Sequence, residues 1–180
     1  LRLKVHAEQF SFSGGTAVAV DLAACSVDHL DYITPELERN LAASDVVAVL
    51  TPGVNFFLGL DRWPPARRLI DSGVDVALAT DYSPGSCMTE NLPLIMTIAC
   101  VRTRMRPDEV IRAATLTGAR AVAREDTVGS LVVGKRADCV IWAAPTYEHL
   151  VYHFGVDHVA TVVKDGAIVS AHNHSGCLRH

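Results

Sequence analysis

The feature that most constrains this chain is a recurring unit: a short apolar, β-branched run, then a polar or glycine-containing loop, then a segment of helical period. The runs cover residues 1–6, 25–29, 46–50 and 74–81. The helical segments cover 15–24, 34–44, 64–72 and then a pair, 91–103 and 107–115, with a further turn or helix near 118–124. Strands separated by helices cannot close as hairpins, so the expected arrangement is a parallel sheet covered by those helices. Val46-Val47-Ala48-Val49-Leu50, ended by Thr51-Pro52-Gly53, has no polar alternation and reads as a strand buried on both faces. Thr34-Pro35-Glu36-Leu37-Glu38 carries a start signal: threonine caps, proline takes the first turn, and the glutamates sit at the positive end of the helix.

After Thr127 the texture changes. Residues 128–135, 138–142 and 159–169 read as compact strands joined by glycine turns, with Asp165-Gly166 as a hairpin signal because both positions tolerate positive φ. The expected organisation is therefore an α/β unit over 1–127, a small β region over 128–170, and a polar tail over 171–180. The 180 residues are 49% hydrophobic and 20% charged, enough apolar material for a substantial core. A net charge of −4, with no run of Lys or Arg, argues against nucleic acid and against an anionic membrane surface as partners. No apolar stretch approaches the ~20 residues needed to span a bilayer. Five cysteines, odd in number and without a Cys-x-x-Cys pair, fit a reducing compartment, and the expected location is cytoplasmic.

Three polar side chains fall at the C-terminal ends of predicted strands: His6, His29 and Asp81. In a closed parallel barrel these ends converge on one face, so residues far apart in sequence meet there. Imidazole and carboxylate suit zinc or ferrous iron. A metal with an open position lowers the pKa of bound water, and a neighbouring carboxylate can move protons. Each residue taken singly has an ordinary explanation, a hydrogen-bonding histidine or a turn-forming aspartate before Tyr82-Ser83-Pro84-Gly85. Recurrence at three strand ends favours a shared site.

Several segments carry a resemblance: Lys4-Val5-His6-Ala7-Glu8-Gln9-Phe10, Ser26-Val27-Asp28-His29-Leu30, Ala79-Thr80-Asp81-Tyr82-Ser83-Pro84-Gly85-Ser86, Val128-Gly129-Ser130 with Gly134-Lys135-Arg136-Ala137-Asp138, and Tyr152-His153-Phe154-Gly155-Val156. With the stretch from Thr89 to Cys100, they resemble the C-terminal part of the imidazolonepropionase family, amidohydrolase-superfamily enzymes of histidine degradation. The resemblance implies the C-terminal half of a (β/α)8 TIM-type barrel, strands five to eight, followed by strands of a small β-sandwich. It implies hydrolysis of the ring amide of 4-imidazolone-5-propanoate to N-formimino-L-glutamate with one divalent metal ion, Zn or Fe, and a homodimer for the full-length protein.

By positional match His6 and Asp81 are the implied metal ligands. His29 is the implied group that polarises the substrate carbonyl, and Asp81 also takes the proton from the attacking water. Gln9, standing where some relatives have glutamate, is an expected hydrogen-bonding contact to substrate. Ser83, where relatives commonly have asparagine, is expected with Gly85 and Ser86 to hold the propionate or ring through hydroxyl and backbone N–H donors. No His-x-His strand precedes His6, so the chain is expected to be a fragment, unstable or inactive unless the other half docks on it. Two other readings stay open: a dihydroorotase- or cytosine-deaminase-like enzyme with the same metal logic, and a non-enzymatic α/β module binding a small anion at the Ser83–Ser86 turn.

Remaining groups are read as structural. His172-Asn173-His174 supplies a His-x-His pair only in a polar tail. Cys87 is expected to be an incidental thiol, Cys25, Cys100 and Cys139 core residues, Arg67-Arg68 and residues 102–106 solvated helix surface, and His153 part of the packing between barrel and sandwich.

Overall fold

A computed structural model describes residues 2–171. Of the expected tail over 171–180, Ala171 instead ends the last strand, and the rest, with the His172-Asn173-His174 pair, lies outside the described residues. Strands β1 (Lys4–Ala7), β2 (Ser26–His29), β3 (Val47–Leu50) and β4 (Val76–Leu78) form one sheet in the order β1-β2-β3-β4, all parallel. The register pairs Ala7 with His29 and Leu50 with Leu78, so neighbouring C-terminal ends lie level. Helices α1 (Gly15–Asp21), α2 (Pro35–Ala42), α3 (Pro52–Phe57), α4 (Ala66–Asp71), α5 (Leu92–Thr103), α6 (Pro107–Ala114) and α7 (Leu116–Ala121) connect and follow the strands. The Leu37 amide donates to Thr34 Oγ1, the cap expected for α2.

The two faces of the parallel sheet differ. Val27, Ala48, Leu50, Val76 and Leu78 face a large core with Ala19, Leu41, Leu69, Met96 and Val110 from the helices. On the other face, Val47, Val49 and Ala77 pack with Ala121 of α7, while β1 and β2 present Lys4, His6 and Asp28, with Lys4 Nζ 3.6 Å from Asp28 Oδ1. Arg120 of α7 bonds Asp75, which immediately precedes β4, and, at 2.9 Å, Asp45, two residues before β3. The N-terminal side of the sheet is thereby covered, and the polar chemistry is left at the C-terminal ends.

Three expectations need correction. Thr51-Pro52-Gly53 does not merely end β3: Pro52 opens α3, its fixed φ and missing N–H suiting the first helical turn. A methyl on Gly53 would stand 2.5 Å from Ile95 Cδ1 and 2.8 Å from Cys87 Sγ, so glycine there lets α3 lie directly on α5. The fourth strand stops at Leu78, short of Asp81. Finally, 128–135 is a series of turns rather than a strand, with Leu131, Val132 and Val133 exposed.

The reason for this last departure lies at Gly129, which has φ +87° and sits where a Cβ would come within 2.6 Å of Ala119 Cβ and 3.0 Å of the Thr115 carbonyl oxygen. Gly129→Ala should therefore destabilise the protein by roughly 2–4 kcal/mol, the sum of an overpacked contact and a left-handed residue with a side chain. A urea unfolding midpoint within error of the parent would refute this.

The rest of the chain forms β5 (Cys139–Trp142), α8 (Tyr147–Tyr152), β6 (Val159–Lys164) and β7 (Ala167–Ala171), with an antiparallel three-stranded sheet in the order β5-β6-β7. The β6–β7 hairpin turns at Asp165 (φ 52°) and Gly166 (φ 80°), as its sequence demands. Helix α8, unanticipated in the sequence, packs on α5 and α6 through buried Leu150, and Thr97 Oγ1 donates to the Val151 carbonyl. No helix among the described residues is long and apolar enough to cross a membrane.

Candidate active site

Backbone conformation marks the C-terminal ends of the parallel strands before any side chain is considered. Of the eight non-glycine residues with positive φ among the described residues, four lie there: Glu8 (55°), His29 (85°), Leu30 (71°) and Asp81 (51°). Such conformations persist where surrounding structure over-determines them. At the end of β1 the determinant is Glu8, which is buried and accepts from the Ser13 amide at 2.8 Å, the Ser13 hydroxyl and the Thr16 amide at 3.1 Å. These bonds fasten the strand end to the start of α1, whose N-cap, Gly14, has no side chain to offer. Burial by itself would raise the Glu8 pKa; the Ser13 and Thr16 hydrogen bonds outweigh it and leave the carboxyl below its ordinary value.

His6, His29 and Asp81 are brought to one place. The His6 and His29 rings stand 4.3 Å apart between centroids, and His29 Nε2 lies 3.8 Å from Asp81 Oδ2. His29 is 4% exposed and Asp81 39%, so the carboxylate faces the open side while the imidazole is seated in the protein. Burial first, and the neighbouring His6 second, hold the His29 pKa below its ordinary value against the pull of Asp81 and Asp28; the ring is therefore neutral at pH 7. Its other nitrogen, Nδ1, is 2.9 Å from the hydroxyl of buried Thr51, the residue that follows β3. Thr51 thus holds one ring nitrogen of His29 and leaves Nε2 facing Asp81.

The loop after Asp81 is tighter than the sequence suggests. Ser83 and Cys87 exchange backbone hydrogen bonds at 3.0 Å, and the Ser86 amide donates to the Ser83 carbonyl at 3.3 Å. The backbone N–H groups of Ser83 and Ser86 are thus committed inside the loop, which corrects the expectation that they serve a ligand; Gly85 is exposed, and Ser83 and Ser86 are half-buried. Cys87 beneath it is 1% exposed, and burial, then the Asp81 charge, push its thiol pKa up, so it is a neutral packing residue. The three cysteines expected in the core, Cys25, Cys100 and Cys139, are only partly buried. Gln9 is buried beside Glu8.

Two groups at these strand ends carry no motif. Asp31, two residues past His29, is 3% exposed, accepts from Asn55 Nδ2, and its carbonyl accepts from Arg62 Nε at 2.7 Å. Burial, partly offset by the Asn55 bond, raises its carboxyl pKa from 3.8 to about 6. The folded protein then binds this proton more tightly than the unfolded chain, so stability is greatest at low pH and declines as pH climbs through that interval. On the order of 3 kcal/mol should be lost from this group between about pH 4 and 6, and Asp31→Asn, which keeps an acceptor for Asn55, should flatten that part of a stability–pH curve. An unchanged slope in the variant would refute the assignment.

The other such group is Thr51, whose role needs the register of β3 against β2 and is invisible in sequence. Two surface readings also change. Arg67 is no solvated charge: it grips Glu109 through two bonds, at 2.9 and 3.0 Å, and ties α4 to α6. His153 is exposed rather than packed between the two sheets, and it joins His149 and His158 in a cluster. The donor atoms of this trio all fall within 4.8 Å of one another. The His-x3-His spacing at 149 and 153 is the signal that could have found it.

Residues 23–169 match the amidohydrolase family. The chain belongs to the amidohydrolase family. Within it, the chain is similar to the imidazolonepropionases of Alkaliphilus metalliredigens (43% identical over 169 residues, 94% of this chain) and Bacillus velezensis (45% over 167 residues, 93%). It spans about 40% of the length of each. Solved amidohydrolase-fold structures superpose on it: a zinc-bound adenosine deaminase from Xanthomonas campestris with TM-score 0.73 at 24% identity, over 92% of this chain and 45% of that one, and an atrazine chlorohydrolase variant from Arthrobacter aurescens, complexed with zinc and atraton, with TM-score 0.81 at 20% identity, over 95% and 44%. These establish an α/β fold of the amidohydrolase kind for this chain.

Proposed function

We propose that the protein to which this chain belongs hydrolyses the ring amide of 4-imidazolone-5-propanoate to N-formimino-L-glutamate, and that this segment supplies strands five to eight of its barrel and the C-terminal strands of its β-sandwich. The observation that carries the reading is the convergence of His6, His29 and Asp81 on one end of the parallel sheet, in a chain 41–45% identical to imidazolonepropionases. The exposed apolar side chains of 131–133 and of Ile168 and Val169 suit a sandwich completed by other strands of the protein.

The donor chemistry fits a divalent metal. His6 offers an imidazole and Asp81 a carboxylate, ligand types that zinc and iron both accept, and the rest of the shell would come from the His-x-His strand of the remaining part of the protein. When bound, the ion acts as a Lewis acid that makes water a nucleophile near neutral pH. The remaining work belongs to the chain. Asp81 takes a proton from the attacking water and delivers it to the ring nitrogen as the C–N bond breaks. Neutral His29, its Nδ1 engaged by Thr51, directs Nε2–H at the substrate carbonyl oxygen and stabilises the charge that develops there. Gln9 and the hydroxyls of Ser83 and Ser86 beside Gly85 hydrogen-bond the ring or propionate. A cytoplasmic homodimer is the assembly this reading carries with it.

The test is to assay the full-length protein on 4-imidazolone-5-propanoate, dihydroorotate and cytosine while measuring bound metal. Turnover of the first alone, with stoichiometric metal, supports the proposal. Preference for either other ring, or a metal-free protein that binds only a small anion, overturns it.

A further inference from the structure

We propose that His149, His153 and His158 form a metal site of their own, for a divalent transition ion of the imidazole-binding kind such as Zn2+, Ni2+ or Co2+, that clips helix α8 to the start of β6. It shares no residue with the site at the parallel strand ends and does not rest on the proposed reaction.

The sequence puts two of the three imidazoles one helical turn apart. His149 lies on α8 and His153 is its C-cap residue, four positions on, so their side chains issue from the same face of the turn. The chain then doubles back through Gly155, whose φ of 77° permits the reversal, and returns His158 to the pair just before β6 begins at Val159. The three rings stand 5.2, 5.2 and 5.0 Å apart between centroids, and one ring nitrogen from each lies within 4.8 Å of the others. Small side-chain rotations bring nitrogens so placed to the roughly 2.0–2.1 Å at which imidazole holds zinc.

The buried member is already oriented. His158 is 7% exposed, and its Nε2 lies 3.1 Å from the carbonyl oxygen of His153. A carbonyl only accepts, so Nε2 carries a proton and Nδ1 is the nitrogen left to ligate an ion. That is the arrangement by which ligating histidines are usually fixed, with the second nitrogen donating to a carbonyl or carboxylate. The backbone around it is also held: the Ala143 amide donates to the His158 carbonyl at 2.8 Å, and the His153 amide donates to the His149 carbonyl at 2.9 Å. His149 is half-buried and His153 exposed, so an ion has an entry path, and three ligands leave a coordination position open to water. Three neutral imidazoles with no carboxylate favour late first-row metals over Mg2+ or Ca2+.

The experiment uses the full-length protein, stripped of metal and titrated with Co2+, whose visible spectrum reports coordination. The comparison is with the double variant His149→Gln/His153→Gln, which spares the buried His158 and touches no residue assigned to hydrolysis. The parent should bind one more equivalent of Co2+ per chain than the variant, with a difference spectrum of nitrogen ligation, and Zn2+ should raise its melting temperature further than the variant's. Hydrolytic activity should be equal in the two. Should the double variant fail to fold, the single variants His149→Gln and His153→Gln should each weaken this equivalent at least tenfold. Equal Co2+ stoichiometry in parent and variant, or an extra equivalent that binds only at millimolar metal, overturns the proposal.

Discussion

Asp81→Asn should abolish most of the proposed hydrolysis, lowering kcat by about a thousandfold or more while the protein remains folded. The substitution keeps size and leaves an acceptor oxygen, so the loop from Ser83 to Cys87, which is held by its own backbone bonds, should be undisturbed. What it removes is the anionic ligand and the acceptor for the proton of the attacking water. General acid–base catalysis alone contributes about a hundred- to ten-thousandfold, and loss of metal activation adds to that. Steady-state assays and metal analysis of parent and variant check it. Activity within tenfold of the parent, with metal retained, would mean that Asp81 is a turn residue and that the proton relay lies elsewhere.

The second large effect is expected at His29. His29→Gln should lower kcat about a hundred- to a thousandfold with little change in KM, the signature of a hydrogen bond that strengthens only as charge develops on the substrate oxygen. Thr51→Val provides the finer test. It keeps the shape of a buried residue but removes the hydroxyl 2.9 Å from His29 Nδ1, so the ring loses the partner that positions it. A loss of about tenfold in kcat, absent when the same substitution is made in the His29→Gln background, would show that Thr51 acts through the imidazole. Equal losses in both backgrounds would assign Thr51 to packing.

Much of the architecture can be read from the chain because its signals are local. Thr34-Pro35 starts α2, Asp165-Gly166 turns the β6–β7 hairpin, and the apolar run 47–50 lies buried in the middle of the sheet. Local signals failed where distant contacts decided the outcome. Residues 128–135 have the composition of a strand, yet Gly129 is pressed against Ala119 and Thr115, and the segment turns. Pro52-Gly53 looks like a strand terminator, yet the close approach of Ile95 and Cys87 leaves room for a helix only because position 53 lacks a side chain.

The same division holds for the candidate centre. His6, His29 and Asp81 were legible because each lies at or just beyond the C-terminal end of a strand run, and a parallel sheet puts those ends on one side. The His-x3-His spacing of His149 and His153 is also present in the sequence, but without the helix that carries it the pair went unread. Only the tertiary structure could show that Thr51 meets Nδ1 of His29, that Glu8 fastens the end of β1, that Asp31 is buried with a raised pKa, and that His158 returns to His149 and His153. Spacing along a strand or helix is dictated by backbone geometry and is written in the sequence. Which side chains share a low-dielectric pocket, and so which protons move, depends on packing between elements that no local pattern encodes.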